Sequence, residues 1–102
     1  SVSAFLLNRS SDLSFFVKDL KRCEKRGYDM RLIKEAMGLL AETGTLPATY
    51  HPHKLSGDYV GCWECHIKPD WLLVWEQNDT ELVLLMTNTG THSDIFGKGK
   101  KR

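Results

Sequence analysis

Val60-Gly61-Cys62-Trp63-Glu64-Cys65-His66-Ile67, Asp70-Trp71-Leu72-Leu73-Val74-Trp75-Glu76-Gln77 and Glu81-Leu82-Val83-Leu84-Leu85-Met86-Thr87-Asn88 follow one another with only Lys68-Pro69 and Asn78-Asp79-Thr80 between them. Each run is mostly apolar, and each break carries turn chemistry. Connections this short join antiparallel neighbours, so the run predicts a three-stranded meander. In the second run Leu72 and Val74 alternate with Leu73 and Trp75, which places apolar residues on both faces of a central strand. Gly90 is expected to break the pattern after the third strand.

Upstream the period changes from two to three and four. Leu13, Phe16, Leu20 and Cys23 fall on one face of a helix predicted from Asp12 to about Arg26, capped by Ser10-Ser11-Asp12 and closed by Gly27. Lys18, Lys21, Arg22, Lys25 and Arg26 fall on the other face. Asp29 caps a second helix over Met30–Glu42, with Ile33, Ala36, Met37 and Leu40 as its buried stripe, and Gly44 and Pro47 end it. Ala4–Asn8 reads as a short strand, and Thr45–Tyr59, with Pro47, Pro52 and Gly57, as a loop. The order β-α-α-β-β-β predicts an α+β fold: a small antiparallel sheet with two N-terminal helices packed on one face. Residues 1–97 are read as a single domain and 98–102 as a basic flexible tail.

The chain has 102 residues, with 41% apolar and 26% charged content, as expected of one compact domain. No apolar run approaches the roughly 20 residues of a membrane helix, so no membrane partner is expected. The N-terminus lacks a secretory pattern, and the chain reads as cytoplasmic provided no leader was removed from it. Net charge is +1, but its distribution is uneven: residues 1–34 hold eight Lys/Arg against four Asp/Glu, and residues 35–97 hold two against nine. Three cysteines, an odd number, argue against a disulfide framework and for reduced thiols. Cys62-Trp63-Glu64-Cys65-His66 matches the c-type haem pattern, and the same cysteines with His51 or His53 could be read as a zinc site. A strand would turn Cys62 and Cys65 to opposite faces, which disfavours both, so no cofactor and no metal is expected. His51 is read as an ordinary surface residue, and Trp63 and Trp75 as sheet aromatics.

Three segments share a further likeness: His53-Lys54-Leu55-Ser56-Gly57, Glu64-Cys65-His66-Ile67-Lys68-Pro69-Asp70-Trp71 and Thr89-Gly90-Thr91-His92-Ser93-Asp94-Ile95-Phe96. With Phe16-Val17-Lys18-Asp19-Leu20-Lys21 and Lys25-Arg26-Gly27-Tyr28-Asp29 ahead of them, they resemble in order and spacing the YafQ-type mRNA interferase toxins of the RelE/ParE toxin-antitoxin superfamily, from about residue 5 to residue 97. That resemblance implies a microbial-ribonuclease-like sheet, cleavage of mRNA in the ribosomal A site, a cognate antitoxin that holds the toxin inactive, and contact with operator DNA only through the antitoxin complex. It assigns acid-base positions to His53, His66, Asp70 and His92, and a functional position to Trp71, whose indole can serve either RNA contact or packing. Phe96 falls at a position associated with holding RNA, where a ring can stack on a base.

Such chemistry is open to these residue types without a metal. A base takes the proton of a ribose 2′-OH, that oxygen attacks the adjacent phosphorus, and an acid protonates the leaving 5′-oxygen. Imidazole suits both proton roles because its ordinary pKa, about 6.5, lies near working pH. His92 and Asp70 are expected to form the proton-transfer pair with His53 and His66 assisting, and which is base and which acid stays open. One departure stands out: relatives carry arginine where this chain has Asn88. An arginine would supply a fixed forked cation for the phosphate. Lys54, beside His53, is the expected substitute, with Lys68 and the tail lysines as further candidates. Lys18, Lys21, Arg22 and Lys25 are expected to track RNA phosphates, against the alternative of a solvated helix face. The competing functional reading is a catalytically impaired RelE-like protein that acts mainly through antitoxin binding and operon repression.

Overall fold

The computed structural model describes residues 5–6, 10–78 and 83–97. Strand β1 (Phe5–Leu6) is followed by helices α1 (Ser10–Lys25) and α2 (Met30–Thr43). Strands β2 (His53–Lys54), β3 (Cys62–Lys68), β4 (Trp71–Asn78) and β5 (Val83–Gly90) come next, and a five-residue helix α3 (His92–Phe96) closes the described chain. The sheet order is β1-β5-β4-β3-β2, antiparallel throughout except that β1 runs parallel to β5. The antiparallel meander with two helices is therefore present. The loop expected over Thr45–Tyr59 contains β2 and two single 3₁₀ turns, Ala48–Tyr50 and Gly57–Tyr59.

Helix ends follow the local chemistry. The Asp29 carboxylate accepts from the Arg31 backbone N–H at the start of α2, and Gly44, at φ 76°, donates its N–H to the Leu40 carbonyl at the end. The expected cap at Ser10–Asp12 lies inside α1, which begins at Ser10. Gly90 ends β5 from within the strand rather than interrupting it before that point. The expected turn at Asp79-Thr80 and the basic tail from Lys98 fall outside the described residues.

Both faces of the sheet are covered, unequally. Phe16 and Cys23 of α1 and Ile33, Ala36 and Leu40 of α2 bury against Cys65, Trp71, Leu73, Trp75 and Met86 on one face. Leu13, expected beside them, is not among the described side chains. The opposite face carries a smaller cluster of Cys62, Leu72, Val74 and Ile95, with Leu55 and Tyr59 packed on it. Cys62 and Cys65 thus point to opposite faces, as strand alternation requires, and all three thiols are free.

Two irregularities set which residues face which way. His66 pairs with Leu72 and Lys68 with Trp71, so Ile67 is an extra residue in β3. Val74 pairs with Asn88 and Trp75 with Met86, so Thr87 is an extra residue in β5. The second bulge turns Asn88 to the face of Val74, although Met86 two residues earlier lies in the core under the helices. Among the described residues no helix is long and apolar enough to cross a membrane.

Candidate active site

The sheet face away from α1 and α2 gathers the imidazoles. Register aligns His53, Glu64, Val74 and Asn88 across β2, β3, β4 and β5, and His66, Leu72 and Gly90 form the next row. Glu64 and His66 are two residues apart on β3 and therefore share this face. His53 Nε2 lies 3.1 Å from Glu64 Oε1, and His66 Nε2 lies 3.9 Å from the same oxygen. His53 Nδ1 is 3.0 Å from the carbonyl of His51, and a carbonyl only accepts, so a hydrogen bond there places a proton on Nδ1. His51 itself sits at φ 50°, which turns the chain into β2.

The row continues over the rim. The ring centroids of His66 and His92 are 6.0 Å apart, and His92 Nδ1 lies 3.5 Å from Asp70 Oδ1. Asp70 is in the β3–β4 turn, and His92 is the first residue of α3. Their side chains are 74% and 56% exposed, whereas Glu64 is 5% exposed. A solvent-facing His–Asp pair can exchange protons with a bound polymer, and the buried Glu64 carboxylate lies within reach of His53 and further from His66. Phe96 is half-exposed, its ring 5.0 Å from Tyr59 and 6.3 Å from His92. An open cleft of about 640 Å³ lies beside the row, lined by His51, His53, His66 and Lys68 among others. The four expected acid-base residues, His53, His66, Asp70 and His92, are thus brought into one chain of neighbours.

Other expected residues lie elsewhere. Trp71 is 3% exposed in the core, its ring 4.8 Å from Tyr28 and its Nε1–H donating to Thr89 Oγ1 at 2.9 Å. Buried on the helix face, it cannot stack on RNA, and its expected contact role is corrected to packing. Lys54 follows His53 in β2 and so points to the other face, its Nζ 5.5 Å from the centroid of Trp63. The expectation that it replaces an arginine at Asn88 is corrected on that ground. Lys68, exposed and lining the cleft, is better placed. Asn88 is on the site face but buried, in the row of Glu64.

The basic face of α1 divides. Lys18, Lys21 and Lys25 are exposed. Arg22 donates to Asp19 Oδ1 at 2.8 Å with its Nε 3.9 Å from Asp94 Oδ2, and Arg26 pairs with both oxygens of Asp94. Arg22 is therefore held in an intramolecular network, and its place in the expected phosphate-tracking face is corrected. The sequence reading missed Glu64. Its position two residues before His66, a charged side chain on the same strand face, was the available signal.

Two helices over an antiparallel sheet, with imidazoles and carboxylates gathered on the far face, define a small α+β toxin fold of the RelE-like class. The chain matches the family described as "Bacterial toxin of type II toxin-antitoxin system, YafQ" over residues 9–97, and it belongs to that family. It is 40% identical over 83 residues to the mRNA interferase toxin YafQ of Escherichia coli K12, a match that covers 80% of this chain and 88% of the relative. The crystal structure of the E. coli DinJ-YafQ toxin-antitoxin complex aligns with a TM-score of 0.80 at 33% identity, covering 94% of this chain and 100% of that one. A metal-bound toxin from Helicobacter pylori aligns with a TM-score of 0.71 at 39% identity, covering 80% of this chain and 91% of the other. Among the described residues no group of three or more His, Cys, Asp or Glu is arranged to hold a metal ion.

Proposed function

We propose that this chain is an mRNA interferase that cuts messenger RNA in the ribosomal A site by metal-free acid-base transphosphorylation. The observation that carries the reading is the solvent-facing contact between His92 and Asp70, 3.5 Å long and backed by His66. His92, with Asp70 beside it, moves the proton of the attacking 2′-OH or of the leaving 5′-oxygen. His53, beside Glu64, and its neighbour His66 support the second proton transfer. Lys68 supplies positive charge to the phosphate from the edge of the cleft, and Phe96 offers a ring to a flanking base. The product carries a 2′,3′-cyclic phosphate or its hydrolysed 3′-phosphate.

A cognate antitoxin binds the chain, a partner that the likeness to the DinJ-YafQ toxin-antitoxin complex supports; in this reading the antitoxin holds the toxin inactive in the cytoplasm, and operator DNA is reached only through the complex. The exposed stripe of Lys18, Lys21 and Lys25 follows ribosomal RNA phosphates with an affinity that falls as salt rises.

Primer extension on a defined mRNA, with and without ribosomes, tests the reading. His92→Ala is expected to lower the cleavage rate by about 100- to 10,000-fold, the worth of one positioned proton-transfer group. Cleavage of undiminished rate by that variant would sink the chemistry. Equal cleavage of naked RNA would sink the ribosome dependence alone.

A further inference from the structure

We infer that Arg26, the first residue after α1, and Asp94 form a positioning clamp that ties the C-terminal end of α1 to α3 and so fixes His92 and Phe96 over the site; this rests on the role given to His92 above.

Helix α3 has five residues, too few to hold its own shape, since a single turn fixes several dihedrals for very few hydrogen bonds. Its shape must therefore come from contacts with the rest of the molecule. Asp94 provides most of the polar ones. Its Oδ2 accepts the Thr91 backbone N–H at 2.9 Å, and its own backbone N–H donates to Thr91 Oγ1 at 3.1 Å, a reciprocal capping box. The same carboxylate receives a fork from Arg26, Nη1 to Oδ2 at 2.6 Å and Nη2 to Oδ1 at 3.1 Å, across 68 positions of sequence. Two parallel charge-assisted bonds fix orientation as well as distance. Arg22, one turn earlier on α1, adds a second guanidinium 3.9 Å away.

The backbone leaves room for this arrangement. Gly90 sits at φ 148°, and a Cβ there would lie 2.7 Å from Asp94 Oδ2. Asp94 therefore packs directly against the end of β5. On the other side of α3 Ile95 is buried in the smaller core, and its carbonyl accepts from Tyr59 Oη at 3.3 Å. Asp94 and Ile95 thus hold α3 from two directions. His92, at its first position, is left exposed and facing Asp70. The Arg26 cation also holds the Asp94 carboxyl well below the usual carboxylate range, so the charged form of the clamp persists into acid as well as at neutral pH.

Arg26 and Asp94 have no part in proton transfer here. They act through His92, and displacement of a reacting group by about an ångström can cost up to roughly 100-fold in rate. Three variants separate the cap from the ion pair. Arg26→Ala removes the fork and leaves the capping box intact. Asp94→Asn keeps an acceptor for the Thr91 N–H and loses the charge. Arg26→Lys keeps the charge and loses the fork.

Two measurements on the full chain test the clamp. In ribosome-dependent cleavage Arg26→Ala and Asp94→Asn are expected to lower kcat about tenfold with KM within about twofold, and Arg26→Lys to recover part of the loss. In amide hydrogen exchange both are expected to raise exchange in residues 91–96 about tenfold, with strands β3 and β4 unchanged. Unchanged protection in residues 91–96 would overturn the clamp, as would full kcat in Arg26→Ala. If the unmodified chain cleaves no mRNA, the proposed function fails, while hydrogen exchange still decides whether Arg26 and Asp94 hold α3.

Discussion

At the scale of single residues, facing decides function. His53 and Lys54 are chain neighbours, yet one reaches Glu64 and the other lies over Trp63. Lys54→Ala is accordingly expected to leave mRNA cleavage unchanged and to cost about 0.5 kcal/mol, the worth of an exposed cation–aromatic contact. Chemical denaturation alongside primer extension reads both quantities, and a large loss of cleavage would return Lys54 to the site. Trp71 makes the same point from the core. Trp71→Phe keeps most of the packing against Tyr28 but deletes the Nε1–H donated to Thr89. The expected cost is about 1–3 kcal/mol in stability, because a buried bond is lost and a smaller ring leaves space. Cleavage by the folded fraction should be near that of the parent chain. A cleavage defect without a stability defect would show that the indole meets RNA after all.

At the scale of elements, the sequence was legible where one rule acts alone. The three- and four-residue spacing of Phe16, Leu20 and Cys23, and of Ile33, Ala36 and Leu40, located both helices and their buried sides. Asp29 and Gly44 marked the ends of α2 because caps are local chemistry. Period two marked β3, β4 and β5. It could not reveal the bulges at Ile67 and Thr87, since an extra residue leaves composition unchanged while it reverses every side chain beyond it. Nor could it reveal the parallel pairing of β1 with β5 or the pairing of β2 with β3, because two-residue strands carry no period. The short helix α3 was missed for a related reason: Arg26, far along the chain, supplies its anchor. That anchor has an acid signature. Asp94 is held below its ordinary value by Arg26, so folding gains stability at a pH above the unfolded carboxylate's value of about 3.9 and loses it as pH falls toward the folded value. Urea unfolding should therefore show Asp94→Asn clearly less stable than the parent at pH 7, with the gap narrowing by pH 3. A gap of constant size would mean that the ion pair contributes no pH-dependent stability.

At the scale of the molecule, one sheet separates two cores with different tasks. The larger, under α1 and α2, packs both helices on the sheet face away from the proposed site. The smaller, around Leu72, Val74 and Ile95, seats the site, and its rim carries exposed acid-base groups. Three cysteines report on this division. Cys23 and Cys65 are fully buried in the larger core, and burial pushes the Cys65 thiol up to about 12. Cys62, in the smaller core, is 9% exposed, and burial together with nearby Glu76 raises its thiol as well. Only a thiolate reacts quickly with a disulfide reagent, so each thiol must first be exposed by an opening of the structure. For Cys23 and Cys65 that opening separates the helices from the sheet, which is unfolding of most of the chain. For Cys62 a movement of the smaller core is sufficient, without displacement of α1 or α2. Labelling followed residue by residue in rising urea should therefore show Cys62 reacting first with a shallow urea dependence. Cys23 and Cys65 should follow together, with the slope of global unfolding. Should all three react with one rate and one slope, the two cores open as a single unit, and the site would have no freedom to move apart from the scaffold beneath it.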